Sequence, residues 1–430
     1  MSEFDAIVVG AGPAGTSAAS KMASSGMNVL LVERGDPPGS KNVSGGILWG
    51  KDLSKLYPDW EKTAPLERFI TNKVTGFLTE DSSISIDFKT KRFERQRTGY
   101  SVLRTKLDGW LAKKAKDSGA TVITGITVDG LARDGNKVIG VRQENDVITS
   151  DLVVLAEGAN PRIAIDEGLR QPINDHDVAI GIKQVFKFSE QTINERFNLR
   201  NGAGFAGEYS LGFLNNGVKA GGFLYTNKDT ISLGVVIDIF DLRKDNSTYS
   251  FDIMEKFASH PYIAPYIEGG QLQEYSAHLV CEGGIDYVPK LYGNGYLIAG
   301  DSAGFSFSNG MMIQGMNYAI ASGIAAGETA ISAKESNDYS ESMLSSYEKK
   351  LSSSEVLMDM RNFRGIQNVT WSPLVHEFIP KFTEGILYNM FNETGEPKKH
   401  LFEIALENFA GSKYDRKSLV LDLYRMMRRM

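Results

Sequence analysis

The chain has 430 residues, of which 42% are hydrophobic and 23% charged. That balance is close to the soluble globular average and excludes general disorder, and the length sets an expectation of two to three structural units. A net charge of −6 argues against nucleic acid as the main partner, and a single cysteine, Cys281, excludes a disulfide framework or a cysteine-ligated metal cluster within the chain.

The first residues carry no basic region and no cleavage pattern, so no signal peptide is expected, and no run of about 18 apolar residues offers a spanning helix. Phe4-Asp-Ala-Ile-Val-Val9 reads as a short buried strand. Gly10-Ala-Gly12-Pro13-Ala14-Gly15 follows directly, then a small-residue helix from Thr16 to Ser25, then a second strand, Val29–Val32, ending on Glu33. Strand, glycine turn, helix, strand and acid in this order predict a dinucleotide site, with Glu33 18 residues beyond Gly15 against the roughly 20 expected. Gly10 allows the tight turn, Gly12 lets the pyrophosphate approach the backbone, and Gly15 lets the helix pack closely on the strand. The helix N-terminus offers unpaired N–H groups to phosphates, and Glu33 can accept the ribose hydroxyls.

Residues 40–100 read as loops and short strands. Val153–Ala156, followed by Glu157-Gly158, reads as a buried strand that returns the chain to the first sheet. Val178–Phe188, Val218–Tyr225 and Thr230–Ile237 alternate with period two and are expected to be strands of a second, mixed sheet. Between them Gly202-Ala-Gly204-Phe-Ala-Gly207 matches the glycine pattern again, but polar residues precede it and no small-residue helix follows, so it reads as a loop. Downstream, Gly295–Gly304 repeats strand, then Gly300-Asp301, then small residues, and a helix is expected from Gly315 to Ser332. Asp301 is placed to accept a sugar hydroxyl, or to cap the following helix. From 340 the chain becomes helical and more charged. The aromatic segment Trp371–Phe391 and the basic end Leu419–Met430 can lie on a membrane surface or dock on the chain's own core or a partner.

Gly10–Gly15 with Glu33, Arg104-x-x-x-Asp108-x-x-Leu111, Ala156-Glu-Gly158 and Gly300-Asp-Ser-Ala-Gly304 together resemble the FAD-dependent reductases with a glutathione-reductase-type fold. Lys41–Gly46, Gly181–Lys183, Gly221–Thr226, Tyr275–His278 and Glu282–Gly284 resemble more closely the electron-transfer-flavoprotein:quinone oxidoreductases in their short, FixC-type form. The resemblance implies an α/β chain: a Rossmann-like FAD-binding domain (1–40, 100–160 and 290–335), an inserted mixed-sheet domain on the quinone side (41–99 and 161–289), and a helical C-terminal region (336–430). It implies that Gly10, Gly12, Pro13, Ala14, Gly15, Glu33 and Arg34 hold the ADP half of FAD, with Arg104 near the pyrophosphate and the Val128 backbone at adenine. Ala156 and Gly158 line the cradle, Gly300 and Asp301 hold the ribityl chain, Ser44, Gly45 and Gly46 approach the isoalloxazine ring, and Gly310, Met311, Met312 and Ile313 lie at its pyrimidine edge.

Chemistry in such a chain is mostly the flavin's own, with the protein supplying position and electrostatics. Lys183 reads either as a stabiliser of negative charge on the reduced ring or as a solvated strand lysine. His278 reads either as a proton shuttle to a quinone or as a structural histidine, and Cys281 as a plain buried thiol. Long members of the family end in a four-cysteine ferredoxin-like domain that has no counterpart here. The resemblance therefore implies a separate ferredoxin-like iron-sulfur subunit, an electron-transfer flavoprotein and a quinone as partners, possible electron bifurcation, and a cytoplasmic, membrane-peripheral location. Geranylgeranyl-type prenyl reductases, which saturate lipid double bonds from reduced FAD, also resemble the chain over the FAD motifs, and an FAD-dependent prenyl lipid reductase is the alternative reading. They usually carry a Trp-x-Phe-Pro-like segment by the flavin, where this chain has Gly221-Gly-Phe-Leu-Tyr-Thr226.

Overall fold

The computed structural model describes residues 2–41, 46–213, 217–245, 247–310 and 312–430. The Phe4–Val9 strand lies parallel to Val29–Glu33 on one side and to Asp146–Leu155 on the other. Thr121–Thr124 and Tyr296–Ile298 extend the sheet in parallel at either flank. Ala6, Ile7 and Val8 are fully buried. Burial on both faces is what an unbroken apolar run in a parallel strand signifies. The helix Pro13–Ala23 starts with proline in its first turn and packs against the long helix Met316–Ser336. At the contact Gly323 lies against Ala14 and Ser17, and Gly327 against Ala18 and Lys21, so the helix axes approach closely.

Among the described residues a second sheet of nine strands runs in the order Gln271–Cys281, Val178–Lys187, Thr230–Asp238, Ala220–Thr226, Ala203–Leu211, Leu66–Leu78, Gly99–Val102 and Gly46–Trp49, with Ser83–Lys89 paired off Leu66–Leu78. It is mixed: Ala203–Leu211 is parallel to Leu66–Leu78, and the other pairings are antiparallel. Its outer face is covered by Ser250–Ser259, whose Ile253, Met254 and Phe257 pack on Leu224, Leu233 and Val235. Gly99–Val102 straddles the expected boundary at residue 100 and pairs within this second sheet.

Two expectations need correction. The repeated glycine pattern, read as a loop, lies largely within a central strand, Ala203–Leu211, between Ala220–Thr226 and Leu66–Leu78. Its glycines make room for neighbours: a Cβ on Gly204 would meet Arg68 Cβ at 2.9 Å. Residues 40–100, expected to give short strands, contain the 13-residue strand Leu66–Leu78, whose alternate residues are buried. The C-terminal part is helical, including Ile379–Phe391, Leu401–Ala410 and Arg416–Arg429. Among the described residues no helix is long and apolar enough to cross a membrane.

Candidate functional site

A cleft of about 610 Å³ is lined by loops at the strand ends of the first sheet and by one face of the second. Its first wall begins at the glycine turn. Gly10 has φ +103°, and a Cβ there would meet the Ala156 carbonyl oxygen at 2.2 Å. A Cβ on Gly15 would meet the Gly10 carbonyl oxygen at 1.8 Å, which is why the helix can start so close to the strand. The Glu33 carboxylate accepts from the Ala11 amide at 2.8 Å and from the Gly35 amide at 2.7 Å. It therefore fixes the turn as well as facing the cleft, and its free lone pairs remain for hydroxyl donors.

Arg104 enters the same cleft and grips Asp108 through two bonds of 2.8 Å. Asp108 is fully buried. Burial alone would lower the guanidinium's proton affinity, but Asp108, with Asp301 and Glu33, more than offsets it, so Arg104 holds its proton above the usual arginine range. Burial pushes the Asp301 carboxyl up, against the opposing pull of Arg104 and His278.

The second wall is the cleft-facing side of the nine-stranded sheet. His278 and Lys183 line it from neighbouring strands, Phe223 and Tyr225 from the strand two beyond that of Lys183, with Ile47 and Trp49 at the far edge. Lys183 is 1% exposed. Burial brings its ammonium down to about 7, with Glu274 opposing that fall and Arg104 adding to it. The solvated-lysine alternative is thereby removed. His278 donates from Nδ1 to the Leu279 carbonyl at 2.6 Å. Burial raises the Cys281 thiol well above its usual value, so it stays protonated and inert, as expected of a plain buried thiol.

The structure brings most of the expected residues together. Gly10, Gly12, Pro13, Ala14, Glu33, Arg34, Gly46, Arg104, Val128, Ala156, Gly158, Asp301 and Ile313 line the cleft with Lys183 and His278. Gly15 and Gly300 stand behind the wall, where Gly300 donates to Ser322 Oγ at 3.0 Å. Gly310 and Met312 are not among the residues that line the cleft: Met312 presents its sulfur to Lys73 Nζ at 2.9 Å, and Gly310 lies against Ile366 and Met430. Ser44, Gly45 and Met311 lie outside the described residues. Sequence reasoning missed Trp49, Phe223, Tyr225 and, behind Tyr225, Glu208. Period-two alternation in Gly221–Thr226 carries a signal for Phe223 and Tyr225. Glu208 carries none, since only strand pairing brings it to them.

A glycine turn without side chains, an acidic anchor, a paired arginine and a long two-walled cleft define a dinucleotide-dependent redox protein. The profile of the FAD dependent oxidoreductase family matches residues 5–157, and the chain is an FAD-dependent oxidoreductase. It is 42% identical to "Probable electron transfer flavoprotein-quinone oxidoreductase YdiS" of Escherichia coli (strain K12) over 92% of each chain. It is 35% identical to "Protein FixC" of Bradyrhizobium diazoefficiens over 99% of this chain and 98% of that one. The chain belongs to the FixC/electron transfer flavoprotein-quinone oxidoreductase family, which supports an electron-transfer role. Among solved structures, a geranylgeranyl bacteriochlorophyll reductase-like protein from Thermoplasma acidophilum superposes with a TM-score of 0.70 at 19% identity, covering 98% and 99% of the two chains. The flavin-dependent brominase Bmp2 superposes at 0.64 with 16% identity, covering 99% and 98%. These two share the fold. The residues present fit FAD: backbone amides and Arg104 for the pyrophosphate, Glu33 and Asp301 for hydroxyls, and the Lys183 face for the ring.

Proposed function

We propose that the chain relays electrons between an electron-transfer flavoprotein, a separate ferredoxin-like iron-sulfur subunit and a quinone. FAD supplies one- and two-electron chemistry when bound. In this reading Gly10, Gly12 and Glu33 hold its ADP half, Arg104 neutralises the pyrophosphate, and Lys183 faces the ring with His278 at its side. The observation that carries the reading is the continuous cleft from the Gly10 turn to Lys183. A nearly unexposed cation at the far end favours negative charge arriving there. The lysine's ready loss of its proton lets the same group accept or release charge as electrons come and go.

Partners are proposed on the family relationship, and a surface exists to meet them. Phe391, Phe402 and Met427, on three C-terminal helices, are 76%, 71% and 73% exposed. Apolar exposure of this kind suits a partner subunit or the surface of the cytoplasmic membrane. The test is anaerobic: reduced electron-transfer flavoprotein is mixed with the FAD-loaded chain, then a quinone is added. Bleaching of the bound flavin followed by its return on quinone addition is the expected result. A flavin that neither partner can reduce or reoxidise would remove the relay reading while leaving FAD binding intact.

A further inference from the structure

Glu208 and Tyr225 sit side by side on neighbouring strands of the second sheet, and their arrangement goes beyond holding the cofactor. Tyr225 lines the cleft. Its hydroxyl donates to Glu208 Oε1 at 3.2 Å. The other neighbouring strand, Leu66–Leu78, brings Lys73 to the same face. Lys73 is itself engaged elsewhere: its ammonium lies 4.3 Å from the Trp49 ring centroid and 2.9 Å from the Met312 sulfur. Tyr225 and Lys73 are the charged or titratable groups that act on Glu208 from the strands on either side. A carboxyl so placed sits between two fates. It is a carboxylate when it accepts from the tyrosine, and a carboxylic acid when it donates back to the same oxygen.

We propose that Glu208, acting through the Tyr225 hydroxyl, is a redox-linked proton holder that binds one proton when the cleft gains two electrons and returns it when they leave. This deepens the electron-relay reading and rests on FAD occupying the cleft. Two electrons arrive from a donor flavoprotein, or from dithionite in a titration, and the Glu208 carboxylate takes one proton from solvent. When the electrons pass to a two-electron acceptor such as a quinone, which takes up two protons, Tyr225 Oη gives its proton to one acceptor oxygen and recovers one from Glu208, and the second acceptor oxygen takes its proton from solvent. The pair ends as it began, with Glu208 ionised. Burial already brings the Glu208 carboxyl up to about 7, against the opposing effects of Lys73 and the tyrosine. Negative charge added to the same cleft raises it further. Tyr225 itself is raised well above the usual phenol range, by burial first and by Glu208, so it passes protons without standing ionised.

The test is the midpoint potential of the bound flavin measured against pH. A two-electron couple changes by about 30 mV for each tenfold change in equilibrium constant. One extra linked proton therefore steepens the fall of potential by about 30 mV per pH unit. It does so only from about pH 7, where Glu208 of the oxidised protein has lost its proton, up to the higher pH at which Glu208 of the reduced protein loses it too. The full-length chain loaded with FAD is expected to show that steepening. Glu208→Gln is expected to lose it with FAD stoichiometry unchanged, and Tyr225→Phe to keep it but slow reoxidation by quinone. An unaltered steepening in Glu208→Gln overturns the proposal. Should that variant fail to fold, the wild-type reduced-minus-oxidised infrared difference spectrum decides. A new protonated-carboxyl band that shifts in Tyr225→Phe supports the pair, and absence of such a band overturns it. Loss of flavin from Glu33→Ala without loss from Glu208→Gln identifies the cleft as the FAD site. If Glu33→Ala retains flavin, the binding reading fails first.

Discussion

Replacing Lys183 with methionine separates what the residue costs from what it does. In the unfolded chain the lysine keeps its proton up to about 10.5, and in the folded chain only up to about 7, chiefly because burial strips its ammonium of water. At about 1.36 kcal/mol for each tenfold change in proton affinity, that difference amounts to a cost on the order of 5 kcal/mol for keeping the charge at or below pH 7. Between those values the unfolded state binds more protons, so wild-type stability rises with pH through the window. Lys183→Met, of similar length and without the charge, is therefore expected to stabilise the flavin-free chain by a few kcal/mol at pH 7 and below. The gain should shrink toward zero near pH 10.5. The same change is expected to lower the potential of bound FAD by about 30–60 mV, since a cation facing the reduced ring is worth on the order of 1–3 kcal/mol at an intermediate dielectric. Urea unfolding across the pH window and a flavin redox titration are the assays. A variant no more stable than wild type at pH 7 would refute the claim that the fold holds this lysine at a cost.

Arg104→Ala leaves the fully buried Asp108 without its two-bond partner. It is expected to cost about 3–5 kcal/mol in urea unfolding and to weaken FAD retention. Arg104→Lys should recover little, because an ammonium cannot span both carboxylate oxygens. Gly10→Ala places a methyl 2.2 Å from the Ala156 carbonyl oxygen at φ +103°. The expected outcome is chain that loses its flavin on gel filtration and unfolds at least ~2 kcal/mol more easily. Glu282 has its carboxyl raised from 4.5 to about 7 by burial, with the Trp371 indole bond at 2.6 Å opposing. Between those values the folded state binds more protons, so wild-type stability falls as pH rises through 4.5–7. Glu282→Gln should then be more stable than wild type by on the order of 3 kcal/mol above pH 7 and no different below pH 4.5, as measured by thermal unfolding in buffers spanning the window.

The nucleotide end was legible because its determinants are local. Gly10 to Glu33 lie within one strand-turn-helix-strand unit, and each residue's task follows from its neighbours in sequence. Arg104 and Ala156 were reachable only through family resemblance, whereas Asp301 was marked by its place at a strand end before a helix; three strands from distant parts of the chain bring them to one cleft. The second wall was legible in outline: period-two alternation marked Val178–Lys187 and Thr230–Asp238 to within about a residue of their ends. What failed was pattern without context. The Gly202–Gly207 repeat looked like a loop because polar residues precede it and no small-residue helix follows. It lies largely in a central strand because Arg68, Ile70 and the aromatic rings of Phe205 and Tyr209 need the space that side chains would fill. Glu208 could not be found at all, because nothing in Gly207-Glu-Tyr shows that Phe223 will lie across the ladder from it and Tyr225 diagonally beside it.

The charged groups of the cleft divide by how the fold treats them. Arg104 is matched by a buried carboxylate and stays ionised, which suits a group that holds a pyrophosphate. Lys183 and Glu208 have opposite charges, but burial brings both toward 7, where each can change state at little cost. Lys73 is shifted the same way, lowered by burial with Glu208 opposing. A sheet face selected for stability alone would carry apolar residues at these positions, as it does at Ile182, Leu224 and Val235 on its other side. In the proposed relay the pattern would separate binding from reaction: the end whose charges are fixed would anchor the cofactor, and the end whose charges are poised near neutrality would meet the electrons.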